Sequence, residues 1–160
     1  MATRKRQTWL FKSEPNVYSY ADLERDGRTH WDGIRNYQAR NLLRDDVKEG
    51  DGVLFYHSNA KPMAVAGVAR VVREAYPDAS QFDPKSKYHD PKSDPGDPTW
   101  LMVDIAPVAA CPESLTRDAL KDEPALAEMM LLRRGSRLSI QPVSAREWKR
   151  IMTMAGIRDA

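Results

Sequence analysis

The sequence has little of what marks secreted, membrane-bound or metal-dependent proteins. Its 160 residues include a single cysteine, Cys111, so an internal disulfide is excluded and a reducing compartment is favoured. No apolar run approaches the roughly 20 residues that a transmembrane helix requires. The basic start MATRKRQ is not followed by the apolar stretch of a signal peptide. The sequence therefore predicts a protein without a membrane partner, located in the cytoplasm, or in the nucleus if the source is eukaryotic.

Motifs for metal binding and for catalysis are also missing. His30, His57, His89 and Cys111 show no ligand spacing such as CxxC or HxxxH, so no metal is expected. There is no phosphate loop, no dinucleotide-binding glycine fingerprint and no GxSxG. Ser58 follows His57 directly, and adjacent strand residues point to opposite faces, so the two are not expected to act as nucleophile and base. No motif supports catalysis, and the sequence predicts neither a metal nor a cofactor.

The net charge is small, but the charges are unevenly placed along the chain. The 25 Lys and Arg residues nearly balance 23 Asp and Glu, leaving a formal net charge of +2. From Leu131 onward, however, seven Lys or Arg residues stand against only Glu147 and Asp159, and residues 1–6 are expected to form a flexible basic arm. This asymmetry is compatible with a polyanionic partner, and on charge alone a solvated charged face explains it equally well. The candidate phosphate-binding residues are Arg133, Arg134 and Arg137.

The apolar pattern, in a chain that is 41% hydrophobic and 30% charged, predicts one globular domain, 1–160. Strands are expected at 8–13, 51–58, 64–76, 99–109 and 136–143. Helices are expected at 19–27, 34–46, 115–123, 124–135 and 144–156. Because strands come from the start, middle and end of the chain, an α+β fold with a small β-barrel and helices packed against it is favoured over a parallel βαβ sheet.

A long segment without periodicity, 77–98, separates two of the predicted strands. It contains five prolines together with Phe82, Tyr88 and His89. Loops of this length in a small domain are usually functional or disordered, and a plain linker has no need of the aromatic residues. A binding or lid role and a purely connecting role remain equal alternatives.

The stretch WDGIRNYQARN (31–41) combines rings with hydrogen-bonding side chains and has few aliphatic residues. A planar base is held by stacking on rings, and its edge is recognised by groups that donate and accept hydrogen bonds. This stretch and FYHS (55–58) contain the following candidates: Trp31, Tyr37, Tyr56, His57, Arg35, Asn36, Arg40 and Ser58. Gly33 would let a ligand approach the backbone closely. An aromatic core with a satisfied hydrogen-bond network is the alternative.

Six segments are long and unusual enough to identify a family: WLFKSEP (9–15), WDGIRNYQARNLLR (31–44), VLFYHSN (53–59), GVARVVREAYPD (67–78), YHDPKS (88–93) and LLRRGSRLSIQPVS (131–144). In this order they closely resemble the EVE domain family. The resemblance implies a PUA-like fold, a mostly antiparallel β-barrel with flanking helices. It also implies a distant relation to YTH domains, whose aromatic cage holds a methylated adenine, and binding of modified bases in DNA or RNA.

The resemblance also implies the residues of the pocket. Lys12 and Ser13 match positions that border it, Trp31 matches the cage tryptophan, and Gly33 and Asn36 follow at the pocket edge. In YHS (56–58), Tyr56, His57 and Ser58 match residues of the opposite wall. Tyr88 is expected to supply a lid ring, followed by His89 where the family often has an aromatic residue.

The sequence therefore predicts a non-enzymatic protein that binds a modified base of DNA or RNA, of the methylated cytosine or adenine type, in an aromatic-lined pocket. Two alternatives stay open. One is an enzyme acting on a modified nucleoside, with His57 as acid–base and Glu14 or Asp32 as its partner. The other is a regulatory module that binds a small molecule or free nucleoside.

Overall fold

Six strands form one mostly antiparallel sheet in the computed structural model, which describes residues 5–135 and 137–158. The strands are β1 (Thr8–Ser13), β2 (Thr29–His30), β3 (Gly52–His57), β4 (Ala64–Pro77), β5 (Leu101–Ala110) and β6 (Ile140–Val143). Their order is β2-β5-β4-β3-β1-β6, and β1 and β3 pair in parallel. The predicted α+β class is confirmed. The expected barrel is not closed within the described ranges, because no pairing joins β2 to β6 there.

Four helices accompany the sheet: α1 (Tyr20–Asp26), α2 (Tyr37–Asp45), α3 (Arg117–Lys121) and α4 (Ala145–Ala155). The end signals in the sequence act as expected, since α1 and α4 both begin with a capping box and end at a glycine in the left-handed conformation. Helix α2 begins three residues later than predicted, after its cap Asn36.

The predicted helix 124–135 is wrong. Two short 3₁₀ turns, Pro124–Leu126 and Met130–Leu132, replace it. Leu126, Met129 and Leu131 are all buried in the same cluster, and on one continuous α-helix Met129 and Leu131 would point to opposite sides. Tertiary packing of these apolar side chains therefore decides the backbone here over helix propensity.

The sheet has a hydrophobic cluster on each face, following the period of two along β1. Trp9 and Phe11 belong to one cluster, and Leu10 between them belongs to the other. The first cluster is rich in rings and includes Tyr20, Trp31 and Phe55. The second contains Tyr56, Ile151 and Trp148, so Trp148 on α4 is a core residue.

Gly67 in β4 marks both a bulge and a close approach, which are common reasons for a glycine inside a strand. The pairing of β3 with β4 shifts register between Phe55 and Tyr56, next to Gly67. A Cβ atom at Gly67 would lie 2.3 Å from the ring of Tyr20, whose hydroxyl donates to the carbonyl oxygen of Val68 at 2.7 Å. Helix α1 is thereby held directly on the sheet.

The long segment after β4 is fixed by buried hydrogen bonds. Gln81 is fully buried, and its amide donates to the carbonyl oxygens of Asp78 (2.7 Å) and Trp100 (2.8 Å). The Gln81 side-chain oxygen accepts from the Ser93 hydroxyl (2.6 Å) and from the Trp100 amide (3.0 Å). The Trp100 indole donates to Asp90 at 2.7 Å. All polar capacity of Gln81 is used, so this segment is tied to the start of β5.

Within residues 5–135 and 137–158, no helix is long and apolar enough to cross a membrane.

Of the predicted basic arm, residues 1–4 lie outside the described part. Arg6 is in contact with the domain, where its Nε donates to the Gly50 carbonyl oxygen at 3.0 Å and its guanidinium lies 5.3 Å from the Trp148 ring.

Candidate functional site

A cleft of about 580 Å³ opens beside the end of β1. Its lining comes from four parts of the chain: 12–18, 29–34, 87–88 and Ser139. Ligand pockets for small molecules and bases commonly have volumes of about 300–1,000 Å³. The cleft is therefore large enough for a nucleobase, and it joins the two sequence motifs KSEP and WDGIRN at one place.

Trp31 is at once a core residue and a wall of this cleft. Only 8% of its surface is exposed, because the rings of Phe11 and Phe55 each pack against it with centroids 5.4 Å away. Its backbone amide donates to the Val103 carbonyl oxygen at 2.7 Å, which continues the pairing of β2 with β5. Both the backbone and the indole ring of Trp31 are thus held in place.

Gly33 lies beneath the ring of Tyr88. Its φ of +80° favours glycine, and a Cβ atom there would lie 2.6 Å from Cζ of Tyr88. The space beside Gly33 that was expected for a ligand is thus occupied by a ring of the protein itself. Lys87 places its Nζ 5.0 Å from the same ring.

Arg35 and Asp78 hold Tyr88 and Gly33 together, and Asp78 was not predicted. Arg35 donates from Nε and Nη2 to the Tyr88 carbonyl oxygen at 3.0 and 2.7 Å, and its guanidinium lies 5.4 Å from the Tyr88 ring. Asp78 is buried and accepts from the Gly33 amide at 2.8 Å and from Arg35 at 3.2 Å. Burial opposes its ionisation, but hydrogen bonds from Ser80, Gly33 and Arg35 hold the pKa of Asp78 below its ordinary value.

The polar end of the cleft is formed by KSEP (12–15). The Ser13 hydroxyl donates to the Tyr18 carbonyl oxygen at 2.6 Å, and the Ser13 carbonyl oxygen accepts from the Ser58 amide at 3.0 Å. Lys12 joins β1 to the other end of the chain through its amide, which donates to Ser139 at 2.9 Å. Burial, with a smaller effect of Arg117, lowers the pKa of Lys12.

Five of the ten predicted ligand-binding residues line the cleft, namely Lys12, Ser13, Trp31, Gly33 and Tyr88. The other five lie elsewhere. Asn36 caps α2, where its side-chain oxygen accepts from the Ala39 amide at 3.0 Å. Tyr37 is 61% exposed and packs on Trp100, with centroids 4.9 Å apart. Tyr56 lies in the second core cluster.

His57 and Ser58 form hydrogen bonds to segments that lie in or next to the cleft lining. The Nε2 atom of His57 accepts a hydrogen bond from the Tyr20 amide at 3.1 Å, at the first turn of α1. Its ring packs edge-on against Phe55 with centroids 5.7 Å apart, and burial lowers the pKa of His57. An imidazole that accepts from a backbone amide is neutral and already engaged. Ser58 contributes its amide to Ser13, as described above.

The cleft also contains residues that the sequence did not single out as ligand contacts. These are Glu14, Val17, Tyr18, Thr29, His30, Asp32, Ile34, Lys87 and Ser139. Asp32 had been considered only as a partner of a catalytic histidine. Burial, followed by the nearby charge of Asp78, raises the pKa of Asp32. Its position directly after Trp31 was the available signal.

The three candidate phosphate-binding arginines lie close to the cleft along the chain. Arg133, Arg134 and Arg137 are exposed, and the segment that contains them leads to Ser139 in the lining. Arg133 donates to the Glu128 carbonyl oxygen at 3.0 Å.

Burial raises the pKa of the Cys111 thiol to about 11, so this cysteine is a packed thiol and not an activated nucleophile.

Fold and cleft together define a small α+β domain with an aromatic-walled pocket at the end of a mixed sheet. The fold is shared by the YTH domain of the Zygosaccharomyces rouxii MRB1 protein, solved in complex with N6-methyladenosine RNA, with a TM-score of 0.55 and 14% identity over 100% of this chain and 90% of that one. The model of the EVE domain matches residues 7–154. The chain belongs to the EVE domain family.

Relatives support this assignment over most of the chain. Human thymocyte nuclear protein 1 is 38% identical over 91% of this chain and 72% of its own length. The crystal structure of that human protein in complex with 5-methylcytosine-containing DNA has a TM-score of 0.86 and 37% identity, covering 96% of this chain and 99% of the other. A protein of Leishmania major has a TM-score of 0.89 and 45% identity, covering 95% and 96%.

Proposed function

We propose that this protein binds a modified base of DNA or RNA, of the methylated cytosine or adenine type, in the cleft between Trp31 and Tyr88. The supporting observation is the cleft itself, where two rings, a glycine and a polar strand end meet around a base-sized space. The human relative solved with 5-methylcytosine-containing DNA matches 96% of this chain.

The aromatic walls explain how a methyl group would be recognised. A methyl group adds little area, so discrimination requires rings that surround it and exclude water. Stacking of a base on aromatic side chains contributes roughly 1–3 kcal/mol. Trp31 is immobilised by Phe11 and Phe55, and Tyr88 by Arg35 and Gly33, so both rings are in place before a base arrives. Ser13 and nearby backbone groups supply hydrogen bonds to the base edge.

Residues outside the cleft extend the proposed contact to the strand that contains the base. Exposed Arg133, Arg134 and Arg137 would hold phosphates next to Ser139. The exposed ring of Tyr37, held by Trp100 and with the Arg40 guanidinium 5.3 Å from its centroid, would contact a neighbouring nucleotide. Asn36, Tyr56, His57 and Ser58 would shape the site indirectly by fixing α2, β3 and β1.

Binding is favoured over catalysis by the position of His57. The enzymatic alternative requires a histidine free to exchange protons with a ligand, whereas Nε2 of His57 accepts from the Tyr20 amide and the residue is not part of the cleft lining. Turnover of a nucleoside, lost in a His57→Ala variant that still binds, would instead support an enzyme.

The test is a titration at fixed moderate salt against matched oligonucleotides containing cytosine, 5-methylcytosine, adenine or N6-methyladenine, in DNA and in RNA. Trp31→Ala is a poor probe, because removing a buried tryptophan costs about 3–5 kcal/mol of stability. Tyr88→Ala removes the more exposed ring, and Val108→Ala, on the exposed part of β5, is the control.

We expect tighter binding of one methylated base by the wild type and by Val108→Ala, and its loss in Tyr88→Ala. Uniform weak binding of every oligonucleotide, unchanged by Tyr88→Ala, would reject the proposal. Competition by free nucleosides without any binding of oligonucleotides would support the small-molecule module.

A further inference from the structure

One acid in the cleft is explained neither by folding nor by contacts with phosphate. Asp32 lies between the Trp31 wall and Gly33, and 41% of its side chain is exposed. The structural tasks of an acid at this place are performed by its neighbour Asp78, which accepts from Gly33 and pairs with Arg35. Helix α2, which follows, is capped by Asn36. Asp32 is therefore not required as a cap or as the partner of Arg35.

The charges around Asp32 leave its carboxylate poorly compensated. The ion-pair contact of Asp32 is with Nε2 of His30, at 4.0 Å, and both side chains are partly exposed. Burial and the charge of Asp78 disfavour its ionised form. His30, the backbone amide of Asp32 itself and Arg35 offset this only in part, so that the pKa of Asp32 is raised. A hydrogen-bond donor brought by a ligand would relieve this imbalance.

An acid is also the wrong charge for the backbone of a nucleic acid. Phosphates are bound by Lys, Arg and backbone amides, and a carboxylate near them is repulsive. The part of a nucleic acid that Asp32 suits is therefore one that donates hydrogen bonds. Among the groups of a base, the exocyclic amino groups of cytosine (N4) and adenine (N6) are such donors, whereas thymine and uracil present an acceptor oxygen at the same place.

We propose that Asp32 accepts a hydrogen bond from the exocyclic amino group of the bound base and thereby selects cytosine-type and adenine-type bases over thymine and uracil. This inference rests on the proposed function and names the determinant of its base class. Methylation at C5 of cytosine leaves the amino group intact, and N6-methyladenine keeps one N–H. Either methylated base can therefore satisfy Asp32 while its methyl group contacts the rings.

The sharpest test compares 5-methylcytosine with thymine in otherwise identical oligonucleotides. Both bases have the same C5 methyl group and differ in the amino or keto group and in the protonation of N3. We expect the wild type to bind the 5-methylcytosine oligonucleotide at least about tenfold more tightly, the effect of one hydrogen bond to a charged group and of avoiding two opposed acceptors. If the purine form is preferred, adenine and hypoxanthine provide the equivalent pair.

Asp32→Asn is the informative variant, because its amide can donate to the keto oxygen as well as accept from an amino group. We expect the tenfold preference to shrink to about twofold or less. Glu113→Gln is the matched control, since it removes the same charge from an exposed position outside the cleft lining. It should keep the wild-type preference. Thermal unfolding of each variant verifies that the domain is folded.

The possible failures differ from one another. A preference for 5-methylcytosine over both cytosine and thymine that survives in Asp32→Asn would overturn the role of Asp32 and leave the proposed function standing. Equal tightening of all oligonucleotides by Asp32→Asn and Glu113→Gln, with the preference retained, would show that Asp32 acts only through its charge. If the wild type does not distinguish 5-methylcytosine from cytosine, nor N6-methyladenine from adenine, and Tyr88→Ala has no effect, the proposed function and this inference fall together.

Discussion

At the scale of single residues, Gly33 has a double requirement that few positions of the chain share. Its backbone has a φ of +80°, and its missing side chain leaves the space in which the ring of Tyr88 lies. Gly27 has a similar φ of +72°, but a Cβ atom there would meet nothing within 4 Å. The two glycines therefore separate backbone strain from displacement of the ring.

We predict that Gly33→Ala weakens binding of the preferred base by tenfold or more, whereas Gly27→Ala leaves binding unchanged. Both variants should lose about 1–2 kcal/mol of stability, because an L-residue is strained in the left-handed conformation. Urea unfolding and base titration on the same preparations measure the two effects. Equal affinities of the two variants would show that the Tyr88 ring has no part in the site.

Among the residues that line the cleft, the sequence predicted those whose neighbours in a motif line it too. Lys12, Ser13, Trp31 and Gly33 lie on chain segments that themselves reach the cleft, so adjacency to a recognisable motif was a sufficient guide. Asn36 lies outside the cleft lining and caps α2, because an asparagine before a helix is also a good cap. Residue type alone does not separate these two uses.

At the scale of elements, a hydrogen bond at the start of helix α1 depends on the ionisation of His57 on strand β3. His57 at the end of β3 accepts a hydrogen bond from the Tyr20 amide, which is possible only for the neutral imidazole. The same helix start follows directly on Tyr18, which lines the cleft and accepts from Ser13. Protonation of His57 therefore acts on one wall of the site.

We predict that stability falls as the pH drops below about 6.5, the ordinary pKa of histidine. Burial lowers the pKa of folded His57, so below pH 6.5 the unfolded chain takes up the proton first and unfolding is favoured, until the pH passes below the folded pKa. The slope from one such group does not exceed about 1.4 kcal/mol per pH unit.

The measurement is the free energy of unfolding in urea between pH 5 and 7.5. His57→Gln keeps an acceptor that does not titrate, so its curve should be flatter than that of the wild type in this range. His89→Gln, at an exposed position of the long loop, should keep the wild-type slope. Parallel curves for wild type and His57→Gln would contradict the prediction.

Helix ends were easier to predict than helix continuity. The cap and stop residues of α1 and α4 determine their ends through local hydrogen bonds, which a sequence displays directly. In 124–135, by contrast, the backbone follows the positions of Leu126, Met129 and Leu131 in the core, and those positions depend on β6 and α4. Such long-range packing is not encoded in the local pattern.

At the scale of the whole molecule, the modest net charge of +2 conceals a basic segment that shortly precedes Ser139 of the cleft lining in the chain. Arg134 and Arg137 are exposed there. A small net charge predicts weak binding to nucleic acid in general, because contacts with phosphate supply most non-specific affinity. Affinity from the pocket would then dominate over affinity from the backbone.

We predict that Arg134→Ala and Arg137→Ala each weaken binding of methylated and unmethylated oligonucleotides by the same factor. Each should reduce the slope of log Kd against log salt by about 0.7–0.9, the value for one lost phosphate contact. Arg25→Ala, on α1 and paired with Asp22 and Asp26, is the control and should leave the slope unchanged. A salt slope that is the same in all three variants and in the wild type would place the phosphates elsewhere.

The four hydrogen bonds of buried Gln81 have a consequence for the timing of recognition. They fix the segment that contains Tyr88 during folding, so the conformational entropy of this segment is already lost when a ligand arrives. A rigid, open site needs no slow conformational closure. The association rate constants for different bases should therefore be similar. We therefore expect the residence time of the complex, and not its rate of formation, to distinguish a modified base from an unmodified one.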